Sequence, residues 1–464
     1  MNKIQASNPF FEIYSTPHGT VPFNLIKTEH YAPAIHEGIR RQNGEIDAII
    51  NNPDAPTFEN TIVPYEKSGE LLHRVNTVFG NLLSAETDDE LQELAREIMP
   101  LMSEHENNIS LNEKLFARIK TVYELADKAK LTPEQSKLLE DIYTGFVRNG
   151  ANLQGDAKEQ YRNLCKELSL LTLQFSENTL KETNDYRLVL TEKSQLSGLP
   201  ESAIDAAAET AQEKGVEGWV FTLHAPSYSP FMTYADNRDL RRELYMAYNT
   251  KCTHDNACNN LEIVKKIANI HMEIARLLGY DNFAEYNLKE RMAQNSDTVY
   301  KLLNQLLEAY TPTAQKEYDE VQALARSEEG ADFILMPWDW SYYSQKLKDR
   351  KFSINDEMLR PYFELSKVKE GVFGLASKLY GITFKKNADI PVYHKDVEAY
   401  EVFDKDGTYL AVLYTDFHPR TGKRSGAWMT SYKGQWIDEA SGENSRPHVS
   451  IVMNFTKPTQ STPA

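Results

Sequence analysis

The chain has 464 residues, 41% of them hydrophobic and 26% charged, with 51 Lys and Arg against 68 Asp and Glu for a net charge of −17. That acidic balance argues against a nucleic-acid partner, which needs a cationic face, and against adsorption to an anionic membrane. Three cysteines, Cys165, Cys252 and Cys258, give no disulfide framework and fit a reducing compartment.

The N-terminal MNKIQASNPFFEIYS has no apolar signal-like core, and no apolar run approaches the ~18 residues of a membrane span. The expectation is a cytoplasmic chain, or a periplasmic one if a leader has been removed. Beyond ~250–300 residues one core stops growing, so at least two lobes are expected.

Residues 1–185 predict a helical region. Thr87 followed by Glu90, and Thr132-Pro133-Glu134-Gln135, have the pattern of helix caps. After Gly155, the residues Ala157, Tyr161, Leu164, Leu168, Leu171 and Phe175 share one helical stripe suited to packing against neighbouring helices. Residues 186–250 predict mixed structure, with short strands at Arg187–Thr191 and from Gly218, and an Ala-rich helix after Leu199-Pro200-Glu201-Ser202. Residues 251–381 return to helix, with a break expected at Thr311-Pro312.

From about Ile382 the period switches to two. EAYEVFD, Lys405-Asp406-Gly407 and TYLAVLYTDF predict a hairpin, and SGAWMTSYK and HVSIVMNF add two strands. The fold class expected is mainly α, with a small antiparallel sheet over 382–464.

No phosphate loop and no nucleophile elbow occurs. The cluster from Cys252 through His254 to Cys258 has looser spacing than zinc sites use, and a helix start with incidental thiols suits it better. A zinc peptidase helix places two His at i and i+4 with a Glu beside the first. His36-Glu37 begins that pattern but position 40 is Arg, and His105-Glu106 begins it but position 109 is Ile. Both pairs suit helix surfaces or interfaces, and no other His precedes a Glu.

Several long segments nonetheless resemble the thimet oligopeptidase family of zinc peptidases. They are FTLHAPSYSPFMTYADNRDLRRELYMAYNT (Phe221–Thr250), LGYDNFAEYNLKERMA (Leu278–Ala293), PWDWSYYSQKLKDRKFSINDEMLRPYFEL (Pro337–Leu365), LYGITF (Leu379–Phe384) and YTDFHPRTGKRSGAWM (Tyr414–Met429). Glu177–Thr183 and the Leu199–Ser202 region are similar to the bacterial peptidyl-dipeptidase branch in particular. The likeness runs from Asn8 to the NFTKP segment at Asn454. His418 stands where relatives commonly carry an aromatic, and Ser425 where they commonly carry Gly.

The resemblance implies a two-lobed helical fold with a deep channel that admits short unstructured peptides. It implies one zinc ion, whose bound water has its pKa lowered to ~7 and attacks the peptide carbonyl, and release of C-terminal dipeptides by a monomer. In the family the metal helix follows closely on the NFTKP-like segment. The expectation is therefore that catalytic and metal residues lie beyond Ala464, and that this chain alone holds no zinc and is inactive. Its own C-terminal piece would then be a possible second chain, with the polar stretch Thr459–Thr462 open to nicking. The alternative is a natural short form, a non-catalytic peptide-binding or scaffold protein.

Within the chain, Gly426, Ala427, Trp428 and Met429 are candidates for a substrate-aligning strand edge. The competing reading is a core strand with Trp428 packed inside. Arg420, Lys423 and Arg424 are candidates to face a substrate carboxylate, against a solvated turn.

Overall fold

A computed structural model describes residues 8–127, 129–438 and 441–459. Residues 460–462 of the expected nicking stretch lie outside them. The N-terminal part is built from helices, among them Tyr31–Ile50, Glu70–Ala85, Asp89–Ser110, Pro133–Arg148 and Asp156–Asp185.

The cap at Thr132 forms in both directions. Gln135 N–H donates to the Thr132 hydroxyl at 3.2 Å, and Thr132 N–H donates to the Gln135 side chain at 3.0 Å. The other cap falls one residue later than expected. Asp88 takes the Leu91 N–H at 2.8 Å, whereas Thr87 is drawn away because its own N–H bonds the Gly422 carbonyl at 2.8 Å. The Asp156–Asp185 stripe packs through Tyr161, Leu164 and Leu171 against Ile263, Ile270 and Ile274 of the helix Leu261–Leu277.

Thr311-Pro312 does not break its helix, which runs unbroken from Ser296 to Glu329. The missing proline N–H frees one carbonyl on an exposed helix, where water can satisfy it. The Thr311 hydroxyl also donates to the Leu307 carbonyl at 2.6 Å. The Cys252–Cys258 segment is no helix start. It is a loop closed by an Asn260 N–H bond to the Cys252 carbonyl at 2.7 Å, and burial pushes both thiols up.

Strands β1 (Leu188–Leu190) and β2 (Trp219–Phe221) pair antiparallel as a small separate ribbon. The late strands are β3 (Thr383–Lys386), β4 (Val397–Phe403), β5 (Tyr409–Asp416), β6 (Trp428–Lys433), β7 (Trp436–Ile437), β8 (Asn444–Ser445) and β9 (His448–Val452). Five of them form a sheet in the order β3-β4-β5-β9-β6. Gly407, at φ 86°, turns the β4–β5 hairpin as the Asp-Gly signal predicts.

The sheet is mixed rather than purely antiparallel, because β9 returns between β5 and β6 and pairs parallel with β5. One face packs Val397, Ala399, Val412, Tyr414 and Tyr432 onto Phe10, Tyr31, Val75, Phe79 and Ile98 from the N-terminal helices. The other face carries Tyr400, Val402 and Leu413. It meets the helix Leu365–Tyr380 through Phe373, whose ring stacks on Phe384 at 4.2 Å. A core made from both ends of the chain thus fixes the sheet on the helical scaffold.

His448 opens β9, is 2% exposed, and has no partner for Nε2 among the described residues. Burial, helped by the nearby Lys433 and His18 charges, pushes its pKa from 6.5 down to about 4. The unfolded chain takes up this proton near pH 6.5 and the folded chain only near 4, so folding stability must fall as pH drops through that window. The loss is expected to be on the order of 3 kcal/mol. Urea midpoints measured across this window for the protein and His448→Gln check it. Equal pH slopes in the two would refute it.

Candidate functional site

The site begins where β5 ends. Asp416 is fully buried, and every strong donor around it turns inward. Arg420 grips the carboxylate with both Nη atoms, Nη1 to Oδ1 and Nη2 to Oδ2, each at 2.8 Å. Lys423 Nζ donates to Oδ1 at 2.8 Å, and the Tyr393 hydroxyl to Oδ2 at 2.7 Å. Burial alone would raise the Asp416 pKa. The hydrogen bonds from Arg420 and Lys423 outweigh it and hold the carboxyl below its usual value.

Lys423 is itself buried, and three carbonyls share its remaining two N–H groups: Asp416 at 3.0 Å, His418 at 2.8 Å and Met453 at 2.5 Å. Arg420 also bonds Glu86 and, at 2.5 Å, the Ala85 carbonyl.

The loop between Asp416 and β6 is therefore tied down along its length. Besides the Thr87–Gly422 bond, Arg424 N–H donates to the Ser84 carbonyl at 2.9 Å, and the Asn184 amide to the Thr421 carbonyl at 2.9 Å. Gly422 is required by closeness: a Cβ there would lie 2.2 Å from the Thr87 carbonyl oxygen. Gly426, at φ 104°, makes the bend into β6.

These contacts correct the reading of the basic loop. Arg420 and Lys423 form neither a solvated turn nor a free cationic face, because the carboxylate at the end of β5 has taken both. Arg424 alone of the three is exposed, with its guanidinium 4.7 Å from the Trp428 ring centre.

Strand β6 is the last in the sheet. Trp428 is only half-buried, Ala427 is exposed and Met429 is 68% exposed, so this segment is an edge and not a core strand. The direction of its backbone groups follows from both neighbours. Met453 and Phe455 N–H groups bond back to Asp416 and Phe417, so odd residues of β9 face β5 and even ones face β6. Trp428 and Thr430 register with Val452 and Ser450, which makes the even residues of β6 the inward ones. In agreement, Gly426 gives its carbonyl to the Asn454 amide at 2.7 Å on the sheet side. Ala427, Met429 and Ser431 therefore direct their N–H and C=O groups outward.

The other sequence candidates have structural roles. His105 is buried against the Gln42 side-chain oxygen at 2.7 Å, and Glu37 pairs with Arg40 and Arg41. Among the described residues no group of three or more His, Cys, Asp or Glu fits a metal ion. The sequence reading missed Asp416 and Tyr393 as the loop's anchors. The signal available was a single acid ahead of a run with three basic residues.

A family model described as Peptidase family M3 matches residues 231–464. The dipeptidyl carboxypeptidase of Escherichia coli (strain K12) is 35% identical over 459 residues, covering 98% of this chain and 67% of that protein. The dipeptidyl carboxypeptidase of Salmonella typhimurium is 34% identical over 461 residues, and the oligopeptidase A of that organism 33% identical over 462. Each of these covers 99% of this chain and 67% of the relative.

The buried cluster yields a stability test. Asp416→Asn strands Lys423 and Arg420 without their counter-charge, and is expected to cost on the order of 3–5 kcal/mol. Asp416→Asn with Lys423→Met removes opposite charges together and should cost less than the sum of the two single changes. Chemical denaturation of the four proteins measures this, and strict additivity would refute the cluster as a unit.

Proposed function

The chain belongs to peptidase family M3, a family of metallopeptidases, and on that premise we propose that it serves the hydrolysis of short unstructured peptides laid along the edge of β6. The observation that carries this reading is the outward direction of the Ala427 and Met429 backbone groups on an exposed, rigidly held edge. An extended peptide adds to such an edge through main-chain bonds, so binding depends little on sequence and requires a segment free to become a strand. Folded proteins have few such segments. Trp428 and Arg424 flank the track and supply side-chain contact.

The relatives named dipeptidyl carboxypeptidase support release of dipeptides from the peptide C-terminus as the reaction, and the resemblance to zinc peptidases supports zinc as the metal. The described residues do not fit that ion. The role assigned to this chain's own residues is therefore peptide alignment. A non-catalytic peptide binder would use the same edge, so binding alone does not separate the two readings; dipeptides detected by mass spectrometry from a preparation that also holds zinc would exclude the non-catalytic one.

Met429→Pro tests the edge directly. Proline removes an outward N–H, a position where an edge strand tolerates it. Circular dichroism should stay unchanged while binding of a capped unstructured oligopeptide weakens by about tenfold. Unchanged binding, measured by calorimetry, would overturn the assignment.

A further inference from the structure

The outward edge of β6 is closed at one end. Asn81, half-buried on the helix Glu70–Ala85, donates its side-chain amide to the Ser431 carbonyl at 3.1 Å. Its side-chain oxygen accepts the Thr430 hydroxyl. The two bonds fix which way the amide faces. With the oxygen held by Thr430, the NH₂ group is the one presented to Ser431.

The helix that carries Asn81 cannot readily move aside. Val75, Val78 and Phe79 of the same helix are fully buried in the main core. One turn further on, the Ser84 carbonyl holds the Arg424 N–H.

Backbone groups of a strand alternate, so the edge offers its pairing positions at every second residue. Among the described residues nothing bonds the outward groups of Ala427 and Met429, and the next position, Ser431, has its carbonyl already taken. A strand added to β6 can pair at two positions and then meets the Asn81 side chain.

We propose that Asn81 is the end-stop of the peptide track: a positioning residue that sets how far a bound peptide extends along β6, and so restricts length at one end of the substrate. This rests on the edge assignment above. The ligand class is a short peptide in extended conformation, recognised by its main chain. Asn81 touches the protein's own strand rather than the reacting bond, so its expected effect is on length dependence rather than on chemistry.

The test is a ladder of capped, unstructured oligopeptides lengthened one residue at a time from either end and titrated calorimetrically into the full chain. In the unaltered protein, affinity should rise with length and then stay flat for additions at one end. In Asn81→Ala the flat region should give way to a further gain of about three- to tenfold once the peptide reaches Ser431. Alanine is the best helix former, so this variant keeps its helix. Met429→Pro serves as the control. If ladder affinity is indifferent to Met429→Pro, the edge reading fails and the end-stop fails with it. If affinity depends on Met429 but levels off at the same length in Asn81→Ala, the end-stop alone is overturned.

Discussion

The arrangement of the late sheet depends on one buried carboxylate. Asp416 stands at the end of β5, fully shielded from water. A charge in that position is costly unless it is paired and its remaining lone pairs are satisfied. Three donors meet the requirement, and two of them, Arg420 and Lys423, lie only four and seven residues further along the chain. The loop must therefore fold back on the strand it leaves. Lys423 then reaches the Met453 carbonyl, and Arg420 reaches Glu86 and Ala85, so the same few atoms join the end of β5, the end of β9 and the C-terminal end of the helix Glu70–Ala85. Strand β6 starts where that closed loop releases the chain, which is why an edge strand with little covering of its own is held in a fixed place.

Local signals in the sequence were sufficient for the local structure. The Thr132 cap and the Asp-Gly turn rest on contacts within a few residues and occur as expected, whereas the stripe after Gly155 is helical but packs on the distant helix Leu261–Leu277, with Phe175 left exposed. Elements decided by distant partners were harder to read. Thr87 has the chemistry of an N-cap, yet Gly422, more than three hundred residues away, takes its N–H and leaves the cap to Asp88. The parallel pairing of β9 with β5 has no signature in the alternating pattern of Val449 to Phe455, because a period of two does not say which neighbours a strand will have.

The candidate site shows the same division. Gly426 to Met429 can be proposed as an edge from the turn residues before them, but the sequence tips slightly toward a core strand with Trp428 inside, since one tryptophan in an alternating strand suits both. Strand order decides between them, and order is a global property. The basic loop was misread for a related reason. Arg and Lys in a turn are usually solvated, and only the burial of Asp416, invisible in sequence, draws them inward. Asn81 carried no signal, being a polar residue on a helix surface whose meaning comes entirely from the strand beside it.

An open strand edge is a hazard, because any extended segment can add to it. This protein leaves the hazard partly in place: Met429 on β6 and Trp436 and Ile437 on the adjoining hairpin are exposed, and the Ala427 and Met429 backbone groups face outward. The edge differs from an aggregation site in its short usable length. An added strand that can pair at only two positions gains too few hydrogen bonds to hold a partner chain against the entropy of ordering it, since each bond is worth only about 1 kcal/mol net. A short peptide loses less freedom on binding and fits the same two positions. On the reading proposed above, closing the edge at Ser431 would turn a generic main-chain surface into one suited to short extended peptides, and it would need only one amide on a helix that the core already holds in place.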